Sequence, residues 1–267
     1  MRTFLITTLG IGVITALLVS CKPSPKSVTA LELSGTNFKM GFNKQTGPLL
    51  NTFFTFKLND TTPPMLLTAH HVVAGKGRYD DYYNWDELAD KLPDALLWSI
   101  DNDQVQTGLG KNIALRNAHT MGLDVAAYLV PGDRMDLLCL HPSAKAASVG
   151  DSVILFSKLK VGNDYSLLTP AVVIYATDSI MIYELQTDKP VQMAGTSGSP
   201  VLNTKHKVIS NSYGGITVRD SSMIETQIAP TFPLIRKLPL KQGKPYGIGV
   251  PIKLISESLY ASLKDGR

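Results

Sequence analysis

Cysteine is scarce in this chain: there are two in 267 residues, Cys21 and Cys139. Two thiols cannot build the dense disulfide framework that staples small secreted domains. The fold must therefore hold by its core. Charge is also sparse, at 18% of residues with a net charge of +4. No basic run occurs, and basic residues are not interleaved with aromatic ones, which argues against nucleic acid as a partner. Asp80, Asp81 and Asp86 lack the glycine and terminal glutamate of a calcium-binding loop. Neither a metal nor a cofactor is expected.

What is present suits one sizeable β protein. Hydrophobic residues make up 44% of the chain, with 21 glycines and 16 prolines. That is enough apolar material for one large or two small cores, with turn chemistry in excess of what a helical bundle uses. Residues 1–21 stand apart. Arg2 is followed by an almost wholly apolar stretch from Phe4 to Val19, then Leu18-Val19-Ser20-Cys21. This is the pattern of a secretion signal. Its end resembles the bacterial lipobox, which implies cleavage before Cys21 and acylation of its thiol; the alternatives are an uncleaved membrane anchor, since the apolar run approaches spanning length, and plain secretion. Two or more acyl chains anchor a protein stably to a bilayer. Lys22-Pro23-Ser24-Pro25-Lys26-Ser27 then reads as a polar tether. With Cys21 acylated, Cys139 has no partner and is expected to be a buried apolar thiol in Leu137-Leu138-Cys139-Leu140.

Three short stretches carry the chemistry. Gly195-Thr196-Ser197-Gly198-Ser199-Pro200 sets a serine between glycines. Such glycines let the backbone turn tightly and aim N–H groups at one point. A serine hydroxyl attacks only when a base takes its proton and donors meet the resulting oxyanion. Leu67-Thr68-Ala69-His70-His71-Val72-Val73 ends an apolar run in a histidine pair, read as the end of a strand. Successive strand residues point to opposite faces, so at most one of the two faces the serine. Asp124 opens the uncharged run Val125-Ala126-Ala127-Tyr128-Leu129, where a buried acid needs a donor such as a histidine N–H.

The order His, Asp, Ser resembles that of the chymotrypsin/trypsin-like serine peptidases, over roughly residues 35 to 260. Thr68-Ala69-His70-His71 is similar to the family's Thr-Ala-Ala-His segment, and Gly195 to Pro200 to its Gly-x-Ser-Gly-Gly-Pro segment. Ser199 stands where glycine is commoner, as in the glutamyl-endopeptidase branch. The resemblance implies a catalytic triad of His71, Asp124 and Ser197, with the N–H groups of Gly195 and Ser197 as the oxyanion hole. Ser212-Tyr213-Gly214 resembles the edge that pairs with a substrate backbone. Val191 falls where trypsin-like members carry an acid, which argues against cutting after Lys or Arg. An α/β-hydrolase is excluded on order: such an elbow needs Gly-x-Ser-x-Gly with the acid and histidine after the serine. The chain's end at residue 267 leaves no room for a PDZ domain, which disfavours quality-control proteases of the HtrA type.

The remaining pattern is consistent with that fold. Thr52–Leu58, Met65–Val73, Val153–Phe156, Ala171–Tyr175, Ile180–Tyr183 and Tyr246–Pro251 are short and β-rich, separated by turn residues. Residues 75–111 read as an inserted acidic and aromatic loop, with a short helix over Asp86–Leu92. Thr204-Lys205-His206-Lys207 reads as a hairpin turn. Ile252 to Leu263 has helical spacing. The expectation is an all-β protein of two Greek-key six-stranded β-barrels, chymotrypsin-like, with a C-terminal helix. Residues 1–20 are the signal, 21–34 a lipidated tether, 35–140 the first barrel and 141–267 the second with the helix. The expected function is a serine endopeptidase acting on polypeptides, a monomer held in the bacterial cell envelope through Cys21. The alternative is a catalytically silent, lipid-anchored binding protein on the same scaffold. All three catalytic side-chain types are present, which favours the enzyme; two departures keep the alternative open, the doubled histidine and Thr196, which cannot make the charge pair that matures animal zymogens.

Overall fold

The structure, a computed structural model, describes residues 33–41, 52–74, 83–88, 96–101, 104–116, 118, 122–218, 233–238 and 240–265. The signal, Cys21, the tether up to residue 32, Asp80 and Asp81 lie outside the described residues. Among the described residues, fourteen strands fall into two antiparallel sheets. The first holds β1 (Asn37–Gly41), β2 (Thr52–Phe56), β3 (Met65–Thr68), β4 (Leu96–Ser99), β5 (Gln106–Gly108), β6 (Asn112–Ile113) and β7 (Ala126–Leu129). Their order is β5-β4-β1-β2-β3-β7-β6. This sheet forms a half-barrel.

The second sheet holds β8 (Ser152–Val161), β9 (Asp164–Ala176), β10 (Met181–Leu185), β11 (Val191–Gln192), β12 (Pro200–Asn203), β13 (Val208–Thr217) and β14 (Pro245–Pro251). Pairing of β8 with β9 closes six of them into a barrel, and β11 is appended along β8. Closure removes the free edges that would otherwise template aggregation. Tyr183, Leu155, Val173 and Val201 fill this barrel. The chain is therefore mostly β with a closing helix, as a chymotrypsin-like fold requires.

The acidic stretch departs from expectation. Leu96–Ser99 and Gln106–Gly108 are not loop but the strands β4 and β5, and β4 pairs with β1 inside the sheet. Asp86 and Glu87 lie in a turn, and residues 89–92 of the expected helix lie outside the described residues. Cys139 is half-buried rather than buried, because its segment alternates faces and Leu138 is 64% exposed. Burial still pushes its thiol up to about 11.

The two halves meet along a continuous apolar seam. Phe54, Phe56 and Leu67 of the first sheet share one cluster with Phe156, Leu202 and Val250 of the second. The C-terminal helix α2 (Ile252–Lys264) adds Ile252, Ile255 and Leu259 to it. Each such side chain contributes about 1.5–3 kcal/mol on burial. Ser262 Oγ donates to the Ala114 carbonyl at 2.8 Å and fastens the helix to the first sheet. Asn37 Nδ2 donates to the Phe156 carbonyl at 2.6 Å across the same seam. The candidate residues sit beside this seam.

Candidate active site

β3 ends at Thr68, its last residue paired with β7, and the chain then turns at Ala69 into a single helical turn, α1 (His70–Val73). The histidine pair therefore opens a helical turn and is not the strand end read from the sequence. The divergence of the two rings survives the change, because successive helical residues also point apart. His70 is buried, whereas the side chain of His71 keeps 32% of its exposure.

Asp124 precedes β7, next to the end of β3, and is only 4% exposed. Its Oδ2 lies 2.7 Å from His71 Nδ1, and its Oδ1 accepts the backbone N–H of His71 at 3.0 Å. Both carboxylate oxygens are thus engaged by one residue. This is the compensation a buried acid needs, and it places the Nδ1 proton between the two side chains. Nε2 is left to act as an acceptor.

Ser197 belongs to the loop between β11 and β12. Gly195 and Gly198 both have left-handed backbones, at φ 86° and 82°. Gly198 has no room for a side chain: a Cβ there would lie 2.1 Å from the Thr52 carbonyl oxygen. Turns fix the loop, with Thr196 N–H donating to Met193 O at 3.2 Å and Ser199 N–H to Thr196 O at 3.0 Å. Gly198 N–H donates to Ser212 O at 2.8 Å, and Ser212 N–H to Ser199 O at 2.7 Å. Among the described residues, the N–H groups of Gly195 and Ser197 meet no acceptor.

Tyr213 is the meeting point. Ser197 Oγ donates to its backbone carbonyl at 3.0 Å, and its ring lies against His71 with centroids 5.4 Å apart. A β-bulge in β13 between Ser212 and Gly214 sets this residue apart from the regular ladder. A side chain at Gly214 would come within 3.9 Å of Ser197 Oγ, so Gly214 also flanks the serine. Beyond Asn211 the pairing of β13 with β12 ends, while its pairing with β14 runs on to Thr217. Val191 is different: it lies in β11 and leans on the interior of the second barrel. It makes no described contact with the other candidates.

Two residues escaped the sequence reading. Lys39 Nζ donates to the Gly195 carbonyl at 2.9 Å, and Thr52 Oγ1 donates to the same oxygen at 3.0 Å. The available signal was a lysine placed between Phe38 and Met40 in an apolar strand. Two hollows of about 460 and 560 Å³ lie elsewhere, around Pro142, Ser143 and Ala147, and none of the candidate residues lines them.

No family model and no curated protein matches the chain. Solved structures do. A serine endoprotease from Yersinia pestis matches over 89% of this chain and 66% of its own, at 13% identity and a TM-score of 0.50. The chain thus spans about two thirds of that protease. The Rv3671c protease from M. tuberculosis, in its active form, matches over 86% of this chain and 82% of its own, at 14% identity and a TM-score of 0.48. The two sheets, the closing helix and the likeness to the Yersinia pestis structure give this chain a chymotrypsin-like fold.

Proposed function

We propose that the chain is a serine endopeptidase whose nucleophile is Ser197, with His71 as general base and Asp124 as its orienting acid. The observation that carries this proposal is the double hold of Asp124 on His71, through ring and backbone, beside a serine that shares Tyr213 with that ring. In the proposed reaction the Ser197 hydroxyl turns from the Tyr213 carbonyl toward His71 Nε2. Oγ bonds to the peptide carbonyl carbon as its proton passes to Nε2. The carbonyl oxygen becomes an oxyanion facing the N–H groups of Gly195 and Ser197. Collapse breaks the C–N bond, and His71 gives its proton to the leaving amine. Water, relieved of a proton by His71, then cleaves the acyl ester and restores Ser197. Substrate is placed as an added strand along Ser212, Tyr213 and Gly214, past the point at Asn211 where the β12–β13 ladder ends.

Ser199 favours the glutamyl-endopeptidase branch of the family. The anchoring of the chain in a bacterial envelope through acylated Cys21 belongs to the same proposal. A Cys21→Ser chain should leave the membrane fraction and no longer take up an alkyne-tagged fatty acid.

The central test is labelling of the full chain with a fluorophosphonate, which traps an activated serine. Labelling that is lost in Ser197→Ala, together with casein cleavage lost in the same variant, supports the proposal. Full casein cleavage by Ser197→Ala ends it. One observation favours the silent binding scaffold instead: Ser197 Oγ is bound to the Tyr213 carbonyl and not to His71. On that alternative the folded chain stays unlabelled.

A further inference from the structure

Lys39 lies at the centre of β1 between the buried Phe38 and Met40, and is itself 7% exposed. Burying an ammonium is expensive unless it is paired or hydrogen-bonded. Among the described residues no carboxylate pairs with it. Its partners are neutral oxygens: Thr52 Oγ1 at 2.7 Å and the Gly195 carbonyl at 2.9 Å. Thr52 Oγ1 donates its own hydrogen bond to that same carbonyl at 3.0 Å, and the Thr52 N–H donates to the Ser197 carbonyl at 3.3 Å. The first sheet thus grips the serine loop at two carbonyls, on either side of Thr196.

The grip falls on a glycine. With φ at 86° and no Cβ, Gly195 turns easily, and the peptides on either side of it rotate with little steric resistance. The Gly195–Thr196 peptide is held at both ends, its oxygen by Lys39 and Thr52 and its N–H by the Met193 carbonyl at 3.2 Å. Thr196 Oγ1 adds a second bond to Met193 O at 2.9 Å. The orientation of the Gly195 N–H is therefore set between two fixed carbonyls.

Building on the proposed peptidase chemistry, we infer that Lys39, with Thr52, is a positioning residue that holds the Gly195 peptide so that the N–H groups of Gly195 and Ser197 stay aimed at the oxyanion. Preorganised donors of this kind are effective because nothing has to reorient at the moment of reaction. A charge-assisted bond from an ammonium is about twice as strong as a neutral one. The grip is therefore coupled to the protonation of Lys39. Burial, helped by the charge of Lys158 on β8, lowers its pKa to about 8. Activity that depends on the grip falls as the pH rises through that value.

The test is the rate of fluorophosphonate labelling of the full chain as a function of pH, which needs no knowledge of the natural substrate. Removing an oxyanion donor outright costs about 10²–10³-fold, so loosening its support by Lys39→Met should slow labelling about 10- to 100-fold. Lys39→Met should also abolish the loss of rate above about pH 8 that the unmodified chain shows. Thr52→Val, which keeps the ammonium, should slow labelling less and retain that loss. Near-UV circular dichroism shows whether each variant is folded. A folded Lys39→Met that labels at the unmodified rate, or that keeps the alkaline loss, overturns the inference and leaves the catalytic proposal standing. If Lys39→Met does not fold, Thr52→Val decides: an unchanged labelling rate overturns the inference. A folded, unmodified chain that never labels overturns both.

Discussion

Asp124 holds His71 twice, by Oδ2 to the ring Nδ1 at 2.7 Å and by Oδ1 to the backbone N–H at 3.0 Å. The second bond fixes the first turn of α1 as the first fixes the ring. Asp124→Asn keeps the shape but presents an amide that can donate to Nδ1, which favours the tautomer with its proton on Nε2. That state cannot accept from Ser197, and the cost in kcat for this change is on the order of 10⁴-fold. Asp124→Ala should in addition leave the His71 N–H without its buried acceptor, at about 1–3 kcal/mol of stability. Labelling rate and chemical denaturation separate the two effects.

The paired histidines should behave oppositely. His71→Ala removes the proposed base and should silence labelling, at about 1–3 kcal/mol of stability because the buried Asp124 Oδ2 loses its ring partner. His70 is 2% exposed. His70→Ala should cost about 1–3 kcal/mol through lost packing and buried polar contacts, yet label at a rate within a few-fold of normal per folded molecule. The reverse outcome would move the base to residue 70.

Gly198 tests how tightly the serine loop is docked on the first sheet. A methyl there meets the Thr52 carbonyl at 2.1 Å and Thr68 Oγ1 at 2.4 Å, on a backbone with φ 82°. Thr52 and Thr68 belong to paired strands and cannot step aside cheaply. Gly198→Ala should therefore destabilise by more than about 2 kcal/mol and abolish labelling. Gly150 is the control, with φ 89° and no atom within 4 Å of an added Cβ. Gly150→Ala should cost about 1–2 kcal/mol for its backbone alone and leave the labelling rate unchanged.

What could be read from the sequence was what is local. The serine hexamer, the histidine pair and the aspartate each carry their meaning in a few consecutive residues, and the barrel strands β8, β9, β10 and β14 show as β-rich runs. β4 was missed because Leu96–Ser99 follows an acidic, aromatic stretch that reads as loop, and only pairing with β1 and β5 makes it a strand. The helical turn at His70 was missed for a related reason: the apolar run continues to Val73, but the partner strand β7 has no residue left to pair beyond Thr68. Cys139 misled because four apolar residues in a row suggest burial, while an extended segment turns alternate residues to solvent. Lys39 lay furthest out of reach. Its partner Gly195 is 156 positions away, and nothing near either residue names the other.

The same lysine should leave a mark on stability. Burial, with the charge of Lys158, lowers its pKa to about 8 from the 10.5 of an ordinary lysine. Below pH 8 both folded and unfolded chains carry the proton, and the folded state bears the full cost of the buried charge. Between the two values the unfolded chain binds more protons, so this contribution to stability rises with pH. By linkage the span amounts to about 3 kcal/mol. Cys139 acts in the opposite sense, because a thiol raised to about 11 stabilises the fold at lower pH and loses that contribution as the pH climbs through its folded value. Comparing the unmodified chain with Lys39→Met at each pH cancels the thiol. Relative to Lys39→Met, the unmodified chain should gain stability steadily from about pH 8 to about pH 10.5, by denaturant titration, while its labelling rate falls. Opposite trends in stability and rate over one pH window are what a positioning charge requires. A stability difference that stays flat across that window would mean that Lys39 titrates normally and carries no strained, buried charge.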